Sequence, residues 1–158
     1  LSIAAGISTF ANCIGMSLKR NSGNSTISSN GKFYWHAAGE RGFYGNQYVS
    51  TTKLTTVGKR ITKVTGPAGY AMSGYDLYEG YQLDGGQIQT IGYNTARATA
   101  DVAGGWAGAA AGLKVGGFIG GCIGSIPGSI VGGAVGGIVG TVGGSWLGTG
   151  FVDMIYGR

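Results

Sequence analysis

The sequence predicts a mainly α fold: a glycine-zipper helical hairpin preceded by a basic, aromatic region with short strands or loops and one or two amphipathic helices. Three observations carry that expectation. Glycine recurs at every fourth position at Gly104, Gly108, Gly112, Gly116, Gly120, Gly124, Gly128, Gly132, Gly136, Gly140, Gly144 and Gly148, set among Ala, Val, Ile, Leu, Phe and Trp. Pro127 falls near the middle of that run and divides it into two helices of about 102–124 and 129–152. Ahead of it lie aromatic clusters punctuated by glycine, followed by stretches with helical apolar spacing.

Residues i and i+4 share one face of a helix, so the repeat leaves a groove of bare backbone into which another helix settles at close range. Glycine costs about 0.8 to 1.0 kcal/mol against alanine per position in an aqueous helix. Val102 to Val152 holds nineteen glycines, a penalty on the order of 15 to 19 kcal/mol. Hydrocarbon changes that balance, because it forces backbone groups to pair internally and makes small residues the surface on which helices associate. The segment therefore reads as membrane-directed.

Composition narrows the class. Only 11% of the 158 residues are charged and 35 are glycine, a poor match to a soluble enzyme. The net charge of +5 is uneven: residues 1–63 carry eight Lys or Arg against Glu40, and residues 64–158 carry three basic and five acidic groups. A basic, aromatic front suits an anionic membrane surface or nucleic acid. Cys13 and Cys122 lie far apart without ligand spacing, so they read as small apolar residues, with no disulfide, metal or cofactor assigned.

Three stretches follow from these patterns: 1–30, an apolar segment and polar linker; 31–100, the basic, aromatic region; and 101–158, the membrane hairpin. The chain opens at Leu1 rather than Met, as expected of a processed product or the C-terminal piece of a longer protein. Leu1 to Leu18 is uncharged and ends at Lys19 and Arg20, the reverse of a signal peptide's charge order, and suits a short helix packed on the zipper or the tail of an upstream domain. Asn21 to Asn30 is small and polar and reads as a linker or flexible loop. From Gly31 to Val49, Phe33, Tyr34, Trp35, Phe43, Tyr44 and Tyr48 crowd among glycines, predicting short strands or an aromatic loop. His36, Glu40 and Arg41 in that block supply the acid, base and phosphate clamp of a ribonuclease-like site, weighed against plain decoration of an aromatic cluster; no catalytic residue is assigned.

Leu54, Val57, Ile61 and Val64, interleaved with Lys53, Lys59, Arg60 and Lys63, predict a short amphipathic basic helix. It would either dock on anionic headgroups or cover the core. Gly66-Pro67 is expected to break it, with a tyrosine-rich second helix from Ala68 to Leu83. Gln87 to Ala100 then resumes helical sequence into the zipper.

Each hairpin arm exceeds twenty residues, enough for a bilayer core of roughly 30 Å. Counted from Pro127, Trp106 and Trp146 fall at one level opposite the turn, where a membrane interface favours tryptophan, with Arg97, Asp101, Asp153 and Arg158 just beyond. The turn from Gly120 to Gly133 carries no charge, which lets it cross a bilayer from one side; the alternative is a hairpin buried inside a soluble protein. Glycine doublets such as Gly116-Gly117, Gly132-Gly133 and Gly136-Gly137 widen the bare stripe. Each helix could then take two close neighbours, one being a second molecule, so homo-oligomers are expected. Lys114 is the one charge between Asp101 and Asp153. A charge at mid-membrane costs roughly 2.5 to 3.5 kcal/mol, so Lys114 should line a pore, snorkel, or belong to a hairpin that does not span.

Two pieces, GERGFYGNQYVSTTKL at Gly39 to Leu54 and the zipper at Gly104 to Gly148, resemble the C-terminal toxin domains of bacterial polymorphic toxins. These include domains attached to rearrangement-hotspot repeat proteins and delivered by type VI or related secretion systems. The resemblance implies a secreted effector that acts at a target cell's inner membrane and depolarises it through a small pore. It also implies a membrane-associated immunity protein and a chaperone or cage that shields the hairpin. Target-membrane lipid is the expected partner and nucleic acid is not. A nuclease-type toxin that uses the hairpin for translocation, and a structural glycine-zipper membrane protein, are the alternatives.

Overall fold

The computed structural model describes residues 3–41, 49–86 and 91–157. Phe43, Tyr44, Tyr48, Ile88 and Arg158 lie outside them. Helix accounts for 77% of the structure, in three helices beside a small three-stranded sheet, so the fold is mainly α with a few short strands.

Helix α1 (Ile3–Asn21) carries Lys19 and Arg20 in its last turn, where cations complement the helix dipole. Its packing is inverted relative to a soluble helix. Ser8, Cys13 and Ser17 are buried while Ile7 and Phe10 face out. Small side chains lie inward because α1's neighbours approach backbone to backbone: a Cβ on Gly15 would strike the Ile61 side chain, and one on Gly58 would strike the Gly15 carbonyl oxygen.

Strands β1 (Thr26–Ser28), β2 (Phe33–Tyr34) and β3 (Thr51–Lys53) form an antiparallel sheet with β1 central. Thr26 pairs with Tyr34 on one side and with Lys53 on the other. The polar segment read as a flexible linker is therefore an ordered strand and its approach. Ser22, Ser25 and Thr26 are fully buried there, and Ser25 Oγ binds the backbone of His36. The Ser25 hydroxyl, bonded to the His36 backbone, substitutes for the apolar residues the segment lacks, while Ser22 Oγ is buried without a hydrogen-bond partner.

Helix α2 (Leu54–Leu83) is continuous through Pro67, against the expectation of two helices. Proline removes one hydrogen bond, but α1 packs along this part of α2: Ser8 Oγ donates to the Thr65 carbonyl (3.2 Å) and Thr65 Oγ1 donates to Asn12 Oδ1 (3.3 Å). These contacts, at Thr65 two residues before the proline, hold the helical path there. The buried face of α2 is also rotated from the predicted one. Leu54 and Gly58 are buried whereas Val64 stands exposed beside Lys59, Arg60 and Lys63.

Helix α3 (Tyr93–Ile155) is one helical run folded on itself, with non-helical backbone at Gly124 and Ser125. Ser125 sits at φ 55°, ψ −138°, a region that side chains seldom adopt. The bend thus precedes Pro127, which sits in the first turn of the second arm, where its missing N–H costs nothing. Asp84, just past α2, caps the first arm: its two carboxylate oxygens accept the backbone N–H groups of Asn94 (3.0 Å) and Thr95 (2.6 Å).

Few apolar side chains are buried. Among the described residues they are Cys13, Leu54, Leu113 and Val152. Of the most apolar window of α3 only 11% is buried within the chain, so the hairpin is not the enclosed core of this fold.

Candidate membrane-inserting hairpin

The two arms of α3, residues 93–123 and 126–155, run antiparallel with their glycines face to face. Gly104 meets Gly144, Gly108 meets Gly140, Gly112 meets Gly136, Gly116 meets Gly132 and Gly120 meets Gly128. Gly148 lies against Ala100, and Gly124 is the centre of the bend, with open space around it. At each paired glycine of the first arm a Cβ would come closer than 3.0 Å to the opposing carbonyl oxygen, which real Cβ atoms essentially never do. The register is therefore locked by hard-sphere contact.

Gly124 as the centre displaces the tryptophans. Trp106 precedes it by 18 residues and Trp146 follows it by 22, so their levels differ by four residues, about 6 Å. Trp106 packs edge-on against Tyr70 (centroids 4.8 Å apart), whereas Trp146 is 75% exposed. Below them the arms are closed by an Arg97–Asp153 ion pair (3.2 Å) and by Tyr93 Oη donating to Asp153 (2.5 Å).

The doublets do accommodate a second neighbour, but that neighbour is α1 of the same chain. Asn21 lies over Gly117 and Gly133, and Cys13 over Gly137. Ser17 Oγ donates to the Ile130 carbonyl (2.5 Å) and Asn21 Nδ2 to that of Ser129 (3.0 Å). Cys13 is buried, which pushes its thiol up from the ordinary value, partly offset by a hydrogen bond with Thr141; Cys122 is free and exposed near the bend. The doublets at Gly116-Gly117, Gly132-Gly133 and Gly136-Gly137 are thus occupied while α1 is seated, whereas Gly143 has open space around it. The remaining outer face is apolar and open: Phe118 and Ile123 are 74% and 85% exposed, and Val131, Val135 and Val139 form an exposed row at i, i+4 spacing.

Lys114 is exposed, midway in sequence between the interface glycines Gly112 and Gly116. No carboxylate among the described residues pairs with it. No hydrogen bond or ion pair joins the side chains of His36, Glu40 and Arg41 to one another among the described residues. His36 Nε2 is buried without a partner, and Glu40 Oε2 accepts the Ala37 N–H (2.8 Å). Their interactions bind the loop after β2 to β1.

A cavity of about 710 Å³ separates α1, α2 and the first arm, walled by Met16, Tyr70, Met72, Trp106 and Leu113 with Arg20 among the polar residues that line it. Its walls come from distant segments, so no local pattern announces it. The role of α1 had a fainter signal: Cys13, Ser17 and Asn21 fall at i, i+4 spacing, a stripe of small residues suited to a glycine groove.

Compared with family models, with curated proteins and with solved structures, the chain finds no match.

Proposed function

We propose that this chain is an antibacterial pore-forming toxin domain that inserts its glycine-zipper hairpin into a target membrane, oligomerises and dissipates ion gradients. The observation that carries the reading is the pairing of two features on α3. One face is bare backbone packed against bare backbone, and the other is a long apolar surface left in solvent. An aqueous fold gains nothing from that division, since its outer surface stays unburied and its glycines weaken the helix. Hydrocarbon rewards both, by solvating the outer face and by making close backbone approach the basis of association. The toxin role rests on the resemblance to polymorphic-toxin tails, which also implies delivery into a target cell, an immunity protein and a chaperone. Oligomer contacts fall to the exposed valine row or to the groove that α1 vacates.

The test is purified chain added to vesicles loaded with a self-quenching dye and carrying a potassium diffusion potential. Loss of the potential, with RNA in the same tube left intact, supports the reading. RNA cleavage with sealed vesicles would transfer it to the nuclease alternative. No effect on either would leave a structural role.

A further inference from the structure

Charge is sorted along the hairpin axis. Lys19 and Arg20 end α1, and that end lies towards the bend because Asn21 and Ser17 bond the Ser129 and Ile130 carbonyls. Lys59 and Arg60 follow Gly58, which packs on the Gly15 carbonyl and the Lys19 amide, and Lys63 lines the same cavity as Arg20. All five are exposed, as is Lys114, ten residues before the bend. At 1.5 Å per residue Lys114 stands about 15 Å from the tip, and the cations of α1 and α2 stand about 10 to 20 Å from it.

The acids occupy the opposite end. Asp76 and Glu79 share a cleft with Asp101 and Trp146, Asp84 caps the first arm, and Asp153 holds Arg97. Glu40, the one acid of the front half, is engaged by the Ala37 N–H. Between the cations and the bend the hairpin carries no charge, and its apolar side chains protrude.

We infer that this end of the molecule is a docking surface for an anionic lipid bilayer. Lys19, Arg20, Lys59, Arg60, Lys63 and Lys114 form a collar that seats on the headgroups while the bare tip enters the facing leaflet. The inference rests on the membrane reading above and adds to it the lipid class, the orientation and a resting depth. A tip of about 15 Å is half of a bilayer core of roughly 30 Å, so it fills one leaflet before the collar meets the surface. Going further requires α1, with Lys19 and Arg20 at its end, to leave the Gly117, Gly133 and Gly137 groove. A cation beside an anionic surface is worth about fivefold in affinity. Along α2 and along the first arm the nearest acids, Asp76 and Asp101, come thirteen residues, about 20 Å, from Lys63 and Lys114; both also reach the cavity that Arg20 and Lys63 line, so they temper the collar without cancelling its exposed charge. A nucleic acid would match the charge, but its backbone offers no apolar volume for the tip that the collar surrounds.

The intact chain supplies its own probe. With Cys13→Ser, an environment-sensitive dye on Cys122 reports the tip, and binding is read separately from leakage with vesicles of phosphatidylcholine alone or with 30% phosphatidylglycerol. Expected are binding to the anionic vesicles that weakens with salt, a blue-shifted dye, and about a 100-fold loss of affinity in Lys59→Gln/Arg60→Gln/Lys63→Gln. Asp76→Asn/Glu79→Gln, which adds the same kind of charge at the far end, should change affinity less than twofold. Anionic binding without leakage would keep this inference and overturn the pore. Leakage that is equal on neutral vesicles and indifferent to the triple substitution would keep the pore and overturn the collar. Displacement from anionic vesicles by an equal mass of RNA, with the dye unshifted, would overturn the collar as a lipid surface.

Discussion

Asn21, in the last turn of α1, donates its side-chain amide to the backbone carbonyl of Ser129 on the second arm of the hairpin, at 3.0 Å. Its side chain lies over Gly117 and Gly133, where no other residue type leaves room for it. With Ser17 bonded to Ile130 one turn away, α1 is held to the hairpin by polar contacts and shape more than by apolar burial. On the insertion reading proposed above, such a contact is one that water can replace. Asn21→Ala removes the bond to Ser129 and the one to Ser17 Oγ (3.2 Å) and should cost about 1 to 3 kcal/mol. Hydrogen exchange should then rise in α1 while the arms of α3 stay protected, and vesicle leakage should begin sooner. Equal protection in α1 would mean that the helix is not held by this bond.

Glycines of α3 differ in what a methyl group would meet. At Gly112 it would strike the carbonyl oxygen of Gly136, whereas at Gly143 nothing lies within 4 Å. Gly112→Ala must separate the arms, an overpacking cost of about 1 to 3 kcal/mol. Gly143→Ala should gain up to about 1 kcal/mol of helix propensity. Leakage should fall at least tenfold in the first and be unchanged in the second, with circular dichroism reporting equal or greater helicity for Gly143→Ala. Similar behaviour of the two variants would remove the zipper register from the mechanism.

Asp84, just past α2, is bonded to the first turn of α3 through Asn94 and Thr95. Hydrogen bonds from Thr95, then from Asn94, hold the Asp84 carboxyl below its ordinary range, against a smaller opposing effect of desolvation. A carboxylate with a lowered folded-state value stabilises the fold above its unfolded value and loses that contribution as pH falls through the folded one. Acidification should therefore loosen the cap, seen as faster exchange of the Asn94 and Thr95 amides relative to those of the zipper. Asp84→Asn should remove that pH dependence and raise exchange there at neutral pH. A cap insensitive to acid in the native chain would contradict the assignment.

How much of this was readable beforehand depends on the range of the interaction. The zipper register follows from spacing alone, since twelve glycines four apart fix which backbone atoms meet once the chain folds back. The first predicted arm ends where the backbone leaves the helix, at Gly124, but Pro127, a strong local breaker, is the wrong origin for counting levels, because the pairs are symmetric about Gly124. Pro67 misled in the opposite direction: its local penalty is overcome by α1, which no pattern around residue 67 reveals. Likewise Thr26–Ser28 looks like linker because its burial depends on β3 and the His36 backbone, far along the chain. The second glycine stripe was legible as a groove, but not its occupant, since α1 presents serine and asparagine where an apolar ridge is the usual expectation.

Lys114 connects the docked and inserted states. At the collar it sits among headgroups at no cost, but once the hairpin spans, the same residue reaches mid-membrane, where a charge costs roughly 2.5 to 3.5 kcal/mol. Its side chain is exposed in this fold, and the pore reading proposed above assigns it to a water-filled lumen between copies. Lys114→Met should leave docking within about fivefold, the worth of one cation at the surface, and speed the passage from docked to spanning. That passage is read as the lag between Cys122 dye shift and leakage. Lys114→Glu should invert the preference between chloride and potassium measured as a reversal potential in planar bilayers. A reversal potential unmoved by this change of sign would take Lys114 out of the lumen and leave it as a collar residue alone.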